Sequence, residues 1–205
     1  MIEKILPNTE TKFRILRTIY QNPEINLTEL IKKSKTSPNI VLKYANNLVK
    51  FNVIKEKRFG GKKKTHLRNF KINLSSNFSI LIFSFVETEK KFIFLNKYNE
   101  FKPYINQLED LFNDTINFYL IYGSFARLAA DKESDLDMWI IGDINNVMKK
   151  RISEIFSTFK REYSIKIETL EQFLKNIENP IHQNILREHI VIYNESKFLK
   201  TISNL

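Results

Sequence analysis

Two aspartates separated by one residue interrupt the apolar character of the segment YGSFARLAADKESDLDMWIIG, residues 122–142. Asp137 belongs to the run LDMWII, whose composition predicts a buried strand, and Asp135 directly precedes that run. Side chains two apart on a strand point to the same face, so the two carboxylates are expected to project together, about 6–7 Å apart along the chain. Such a pair repels itself unless a cation lies between the two groups, and Mg²⁺ prefers oxygen ligands. The spacing therefore predicts a Mg²⁺ site at Asp135 and Asp137.

A Gly-Ser pair stands before the aspartates, directly after the apolar run FYLIY of residues 118–122. The run predicts a buried strand, and the sequence FARLAA after the pair has helix-forming composition. Backbone N–H groups at a helix N-terminus bind phosphate, and a small turn of Gly123 and Ser124 lets phosphate approach closely. A phosphate turn beside a metal predicts a nucleoside triphosphate site, where the metal neutralises phosphate charge and helps position an in-line attack on the α-phosphorus.

The motif GS-x-A-R followed by SDLD resembles the signature of the minimal nucleotidyltransferases of the DNA polymerase beta superfamily, and the resemblance covers about residues 117–198. It implies that the residues at signature positions bind Mg²⁺ and a nucleoside triphosphate, with ATP as the expected nucleotide. Nucleotide-binding positions are Gly123, Ser124, Arg127 and Ser134, and metal-binding positions are Asp135 and Asp137. Arg127 has an alternative interpretation as a solvated helix residue.

Two positions depart from the family pattern. Leu128 stands where the family usually has glycine, so the following loop is expected to differ in shape. Active members also have a third acidic residue on a later strand, and the corresponding strand here is YSIKIET, residues 163–169. Ser164, Lys166 and Glu168 are expected on one face of that strand. Either Lys166 takes the third position and no third carboxylate is present, or the longer Glu168 side chain reaches back and completes the catalytic set.

The basic residues are concentrated in the first third of the chain. Residues 1–75 contain 17 lysines and arginines against 5 acidic residues, whereas residues 76–205 contain 16 against 18. A solvated basic face explains any single charge run, but an excess confined to one segment favours a polyanionic partner, namely double-stranded DNA.

Helical periodicity and capping residues predict helices at about residues 11–20, 27–33 and 38–51, and two strand-like stretches flank Gly60-Gly61 within residues 53–73. In the third helix, Ile40, Val41, Tyr44, Leu48 and Val49 are expected to face inward. Three helices followed by a basic hairpin resemble a winged helix-turn-helix domain over about residues 9–73. The resemblance implies that the third helix enters the major groove and that the hairpin, or wing, contacts phosphates.

The predicted DNA-binding residues lie on the third helix and on the wing. They are Asn39, Lys43, Asn46, Asn47 and Lys50 on the helix, and Lys57, Arg58, Lys62, Lys63, Lys64 and Arg68 on the wing. The alternative is a wing that packs against protein, or a domain that only dimerises.

Residues 76–114 are rich in aromatic side chains and are expected to be helical. They are interpreted either as a linker that builds a homodimer interface or as core of the C-terminal domain. His66 has no second ligand at usable spacing, and His182 and His189 are expected to be structural or surface residues rather than metal ligands. Without cysteine, without a membrane-length apolar run and without an apolar N-terminal signal, the sequence predicts a cytoplasmic protein that does not enter membranes.

These observations predict an α+β chain with a winged helix-turn-helix domain at residues 1–75, a helical linker at 76–114 and a nucleotidyltransferase-fold domain with a mixed sheet and flanking helices at 115–205. The leading hypothesis is a DNA-binding protein that transfers a nucleotidyl group from a Mg-bound nucleoside triphosphate to a hydroxyl. Related minimal nucleotidyltransferases act as antitoxins that attach AMP to a toxin, so the acceptor is expected to be a protein. The alternatives are a transcriptional regulator whose degenerate domain senses nucleotide without catalysis, and an interaction scaffold.

Overall fold

A computed structural model describes residues 2–22, 24–59, 67–112 and 115–203 of the chain. The chain divides into two compact units, residues 1–86 with 199–205 and residues 87–198. They are called the N-terminal unit and the C-terminal unit.

The N-terminal unit consists of helices followed by a two-stranded wing. Its elements are α1 (Glu10–Gln21), β1 (Ile25–Asn26), α2 (Leu27–Ser34), α3 (Pro38–Lys50), β2 (Ile54–Phe59), β3 (Leu67–Ile72) and the first half of α4 (Asn77–Lys97). The three strands form an antiparallel sheet in the order β1-β3-β2. This order of elements confirms the predicted winged helix-turn-helix.

The helices of this unit begin where the sequence supplies a suitable residue. The side chain of Thr9 accepts the Lys12 N–H at the start of α1. Asn26 accepts the Glu29 N–H at 2.9 Å at the start of α2. Pro38 occupies the first turn of α3, where no intrahelical donor is needed.

The buried face of α3 is confirmed at Val41, Tyr44 and Leu48, but the prediction for Ile40 is wrong. Ala45 completes the buried stripe with the spacing i, i+3, i+4, i+7 that one helix face requires. Ile40 lies outside that stripe and is 48% exposed.

The wing pairs β2 with β3 in register from Ile54 opposite Ile72 to Phe59 opposite Leu67. The turn predicted at Gly60-Gly61 falls in residues 60–66, outside the described part of the chain. Four further residues discussed above lie in the same segment: Lys62, Lys63, Lys64 and His66.

The C-terminal unit contains a four-stranded mixed sheet with helices on both faces. Its elements are the second half of α4, α5 (Lys102–Phe112), β4 (Ile116–Tyr122), α6 (Gly123–Ala126), β5 (Leu136–Gly142), α7 (Asn146–Phe156), β6 (Tyr163–Glu168), α8 (Leu170–Lys175), α9 (Pro180–Arg187), β7 (Ile190–Tyr193) and the first half of α10 (Glu195–Ile202). The strand order is β6-β5-β4-β7, with β5 and β6 parallel and the other pairs antiparallel.

One face of this sheet is packed against a core that includes aromatic residues of α4 and α5. Phe94, Tyr98, Phe101 and Phe112 are buried in a cluster with apolar residues of β4 and β5. For these four residues the core interpretation of the segment 76–114 is confirmed.

Three rows of side chains cross β4, β5 and β6 on the opposite face, as the strand register places them. The first row is Tyr122, Asp137 and Ser164; the second is Leu120, Trp139 and Lys166; the third is Phe118, Ile141 and Glu168. Phe173 of α8 covers this face, with its ring 5.5 Å from that of Phe118 and 5.2 Å from that of Trp139. Only the first row reaches the edge of the sheet where β4 ends and β5 begins.

Among the described residues, no helix combines the length and the apolar composition needed to cross a bilayer.

Candidate functional site

The Gly-Ser turn connects β4 to α6 without any intervening loop. Gly123 has a φ of +72°, a left-handed conformation that favours glycine. Helix α6 has only four residues, so its macrodipole is small. The donors available to a phosphate are therefore the N–H groups and the hydroxyl of the turn itself.

Asp137 lies directly against this turn. A Cβ atom on Gly123 would stand 2.4 Å from Oδ2 of Asp137, so the carboxylate occupies the space that any other residue would fill. Burial raises the pKa of Asp137, the charge of Asp135 raises it further, and the charge of Arg127 opposes them. The charge of Asp135 thus acts on Asp137, and the repulsion between the two carboxylates is a cost that a bound cation would remove.

Tyr122 is a neighbour of Asp137 that no sequence pattern marked as a site residue. It is opposite Asp137 in the first row, and its pKa is raised by burial and by the Asp137 charge. Its hydroxyl therefore faces the same small region as the carboxylates.

Arg127 lies at the end of α6, where its guanidinium donates to Glu188 at 3.1 Å. About half of each side chain is exposed, so this ion pair is weak. The charge of Arg127 also acts to lower the pKa of Asp137.

Leu128 adopts a φ of +57°, in the left-handed region. This explains the glycine that the family usually has at the corresponding position, since only glycine enters that region at no steric cost. Leu128 adopts this conformation at a steric cost.

Ser134 stabilises the loop before β5. Its hydroxyl donates to Oδ1 of Asp131 at 2.9 Å and accepts the Asp131 N–H at 3.0 Å. These bonds lower the pKa of Asp131, with the Ser134 hydroxyl as the main cause. The Ser134 hydroxyl thus has partners within its own loop.

On β6, the residue opposite Asp137 is a serine. Ser164 is opposite Asp137, whereas Lys166 is opposite Trp139 and Glu168 is opposite Ile141. Asp137 and Ile141 are four residue steps apart along β5, a distance of about 13 Å. The expectation that Glu168 reaches back to the aspartates is corrected by this register.

Glu168 instead joins a cluster with Lys166 and His182. Lys166 Nζ is 3.1 Å from Oε1 of Glu168, and His182 Nε2 is 3.1 Å from Oε2. In the described ranges, no three histidine, cysteine, aspartate or glutamate side chains come together as a metal site. The metal site supported by this geometry therefore has two carboxylates.

The two histidines discussed in the sequence are buried, as a structural role requires. His182 lies in α9 and His189 precedes β7, so they do not share a helix.

The candidate nucleic-acid interface of the N-terminal unit is the outer side of α3 and the wing. Most of the predicted contact residues described there are exposed, and Asn47 is half-buried. The exposed ones are Asn39, Lys43, Asn46, Lys50, Lys57 and Arg58.

Arg68 is placed differently from a free phosphate ligand. Its guanidinium binds Glu56 and donates to Oδ1 of Asn46 at 2.6 Å, and only 15% of the side chain is exposed. Arg58 also binds Glu56, at 2.9 Å. Although burial opposes it, these hydrogen bonds lower the pKa of Glu56. Arg68 therefore links the wing to α3 through Asn46, which is 22 residues away in the sequence.

Comparison with known proteins finds a match for each unit. The family model described as "Polymerase beta, Nucleotidyltransferase" matches residues 106–198, and that of the MarR family matches residues 9–58. A Methanocaldococcus jannaschii protein named "Putative protein adenylyltransferase" is 27% identical over 100 residues, which are 48% of this chain and 100% of that protein. The matched segments contain the Gly123–Asp137 site and helix α3, respectively.

Proposed function

Since the chain joins a MarR-type winged helix-turn-helix domain to a nucleotidyltransferase domain of the polymerase beta superfamily, we propose that it binds DNA through the first and uses a Mg-bound nucleoside triphosphate, ATP, in the second. The observation that carries the proposal is the position of Asp137 against Gly123, with Asp135 beside it. It combines two oxygen donors for a divalent cation with a turn whose backbone N–H groups and hydroxyl can bind phosphate.

Asp135 and Asp137 would hold the metal. Their carboxylates are the hard oxygen donors that Mg²⁺ takes, and mutual repulsion raises the free energy of the pair without a cation. When bound there, Mg²⁺ neutralises phosphate oxygens and stabilises the charge that develops on them. With two carboxylates supplied by the chain, the triphosphate oxygens provide further ligands, so metal and nucleotide are expected to bind together.

The turn of Gly123 and Ser124 would hold the triphosphate through its N–H groups and hydroxyl, and Arg127 would add a charge-assisted bond. In the transfer step an acceptor hydroxyl oxygen forms a bond to the α-phosphorus. The bond from that phosphorus to the bridging oxygen of the β-phosphate breaks, pyrophosphate leaves, and the hydroxyl proton passes to solvent. The acceptor receives AMP.

The acceptor is proposed to be a protein hydroxyl. Support comes from the name of the Methanocaldococcus jannaschii relative, "Putative protein adenylyltransferase", which describes protein adenylylation for that protein. An antitoxin-like role, in which AMP inactivates a toxin partner, is the form of the proposal that follows from the family resemblance.

A second candidate function is a transcriptional regulator that senses Mg-ATP without turnover. Ser164 favours it, because the residue opposite Asp137 cannot supply a third carboxylate as ligand or base. In this version nucleotide binding in one domain alters DNA binding by the other.

Calorimetric titration of ATP with Mg²⁺ tests the shared part of both candidates. We expect binding that requires the metal and is lost in Asp135→Asn/Asp137→Asn. Asp143→Asn is the matched control, because Asp143 is exposed beyond the other end of β5. No binding by the wild-type chain would overturn both candidates.

Incubation with α-³²P-labelled ATP and a cell extract then separates them. Label on a protein, absent with the double aspartate variant, supports transfer. Mg-ATP binding without labelled protein supports the sensor.

The DNA-binding part is tested with a duplex selected from a random library. Affinity is expected to fall steeply with salt, and the triple change of Lys62, Lys63 and Lys64 to glutamine is expected to weaken binding and reduce the salt slope. An unchanged slope in that variant would remove the wing from the proposal.

A further inference from the structure

A lysine lies one row away from the proposed metal site. Lys166 is opposite Trp139, so it shares a sheet face with Asp137 and is displaced from it by one strand and two residues. Strand spacing and rise place the two Cα atoms about 8 Å apart. Because a lysine side chain spans about 6 Å, the ammonium has two directions available: toward the aspartates, or further along the sheet.

The structure directs the ammonium away from the aspartates. Its Nζ lies 3.1 Å from Oε1 of Glu168 and 3.3 Å from Nε2 of His182, and it is 4.4 Å from the centre of the Trp139 ring. Glu168 is two residues further along the strand than Lys166, on the side opposite to Ser164.

Glu168, which accepts from Lys166, is itself held in place by His182. His182 is 4% exposed, its ring packs edge-on against Trp139 at 4.6 Å, and its Nε2 is 3.1 Å from Oε2 of Glu168. Only 13% of the Glu168 side chain is exposed. A carboxylate with two nitrogen partners in a covered position has little freedom to release either.

We propose that Glu168 and His182 are positioning residues that keep the ammonium of Lys166 off Asp135 and Asp137 and thereby keep the aspartate pair open for a divalent cation. The inference rests on the proposed function of that pair. An ammonium beside the aspartates would itself neutralise them and would compete with the metal for the same oxygens. Glu168 thus acts on the metal site through Lys166, without touching the metal.

The test measures Mn²⁺ binding to the full chain by electron paramagnetic resonance, with and without a non-hydrolysable ATP analogue. Trp139, the one tryptophan of the chain, gives a second readout because it is two residues from Asp137 and a bound Mn²⁺ quenches its fluorescence. The variants are Glu168→Gln, Lys166→Met and the double change.

Glu168→Gln is expected to weaken Mn²⁺ binding at least fivefold, because the released ammonium turns to the aspartates. The double variant is expected to return to within twofold of wild type, and Lys166→Met alone to bind at least as tightly as wild type. Because removing an unpaired ammonium would also restore a destabilised fold, the Mn²⁺ affinities are compared at a temperature where every variant is folded, so that a merely structural role would leave them unchanged. Thermal unfolding followed by Trp139 fluorescence verifies that each variant folds, and Glu168→Asp replaces Glu168→Gln if the latter does not fold, with the same expected direction.

Unchanged Mn²⁺ binding in Glu168→Gln, or a double variant as weak as Glu168→Gln, would overturn the inference and leave the proposed function intact. Failure of the proposed function has a different signature: wild-type Mn²⁺ binding that is absent, or that persists in Asp135→Asn/Asp137→Asn. In that case the inference falls with it.

Discussion

The Cα atom of Gly123 lies so close to the carboxylate of Asp137 that a Cβ atom on residue 123 would stand 2.4 Å from Oδ2. Glycine is thus required there twice, once for the left-handed φ and once for this contact. The two halves of the motif, a turn after β4 and an aspartate on β5, are one packing unit.

Gly123→Ala is therefore expected to abolish Mg-ATP binding, because the added methyl group displaces Asp137. The left-handed conformation alone costs a non-glycine residue about 1–2 kcal/mol, so unfolding by urea should also begin earlier. Asp143→Asn is the control, because it lies beyond the other end of β5 and leaves the turn and both aspartates unchanged. Calorimetry showing wild-type affinity in Gly123→Ala would contradict the arrangement.

Asp137 is expected to lower the stability of the chain without metal. Its pKa is raised by burial and by Asp135, so the folded state disfavours the ionised form; the cost is present at neutral pH and disappears as pH falls through the raised pKa. Asp137→Asn should therefore stabilise the metal-free chain at pH 7, by about 0.5–2 kcal/mol. Thermal unfolding at pH 7 and pH 4 verifies this, because the gain should shrink at the lower pH. A variant less stable than wild type at pH 7 would contradict it.

The features that could be predicted from the sequence are those set by neighbours along the chain. Asn26 is three residues before Glu29, so its capping role follows from local spacing. Asp135 and Asp137 share a face because strand alternation demands it. Burial of Val41, Tyr44 and Leu48 follows from helix periodicity.

The features that could not be predicted depend on pairing between distant segments. Ser164, Lys166 and Glu168 share a face, so alternation cannot decide which of them is opposite Asp137; only the register of β5 with β6 decides it. The Arg68–Asn46 hydrogen bond likewise depends on how the wing folds back on α3. The prediction for Ile40 is wrong by one residue along the helix, because its neighbour Val41 occupies the core position and Ile40 faces outward.

Backbone strain at Leu128 is expected to make the glycine variant at this position more stable than the alanine variant. In the left-handed region a non-glycine residue costs about 1–2 kcal/mol, and the leucine side chain recovers part of this by packing against the core cluster. Leu128→Ala loses the packing and keeps the strain, whereas Leu128→Gly loses the packing and relieves the strain. Urea unfolding is expected to rank the glycine variant about 1 kcal/mol above the alanine variant. Equal stabilities, or alanine above glycine, would show that the backbone is not strained.

Glu87 and His189 are expected to make the C-terminal unit sensitive to acid. Glu87 is fully buried, with Lys90 Nζ 2.9 Å and His189 Nε2 3.4 Å from its carboxylate. Burial acts to raise the pKa of Glu87, but the Lys90 charge and the contact with His189 leave it lowered. Burial lowers the pKa of His189, with the Lys90 charge as a further cause.

Both shifts predict stability that is lost on acidification. The His189 contribution is present above its unfolded pKa near 6.5 and is lost as pH falls below it, and the Glu87 contribution follows below about 4.5. Glu87→Gln should cost about 1–3 kcal/mol at pH 7. His189→Gln should reduce the difference in the free energy of unfolding between pH 7.5 and pH 5, measured by urea unfolding with Trp139 fluorescence. A wild-type chain equally stable at both pH values would argue against a buried neutral histidine.

Ile40 is expected to contribute to the choice of DNA sequence. It lies in the first turn of α3, 48% exposed, between exposed Asn39 and Lys43. In a helix that enters the major groove, residues near the N-terminus contact base edges, and an apolar side chain there fits the methyl group of thymine.

A duplex selected from a random library tests this by replacing each thymine with deoxyuridine, which removes only the methyl group. At one or two positions the wild-type chain should lose about fourfold in affinity, the equivalent of about 0.8 kcal/mol for one buried methyl group. Ile40→Ala should bind the thymine and deoxyuridine duplexes equally at those positions, and it should fold normally because the side chain is exposed. Lys43→Gln is the control: it should weaken binding to both duplexes alike and keep their ratio. If the wild-type chain is indifferent to every replacement, or if Ile40→Ala keeps the preference, Ile40 does not read a methyl group.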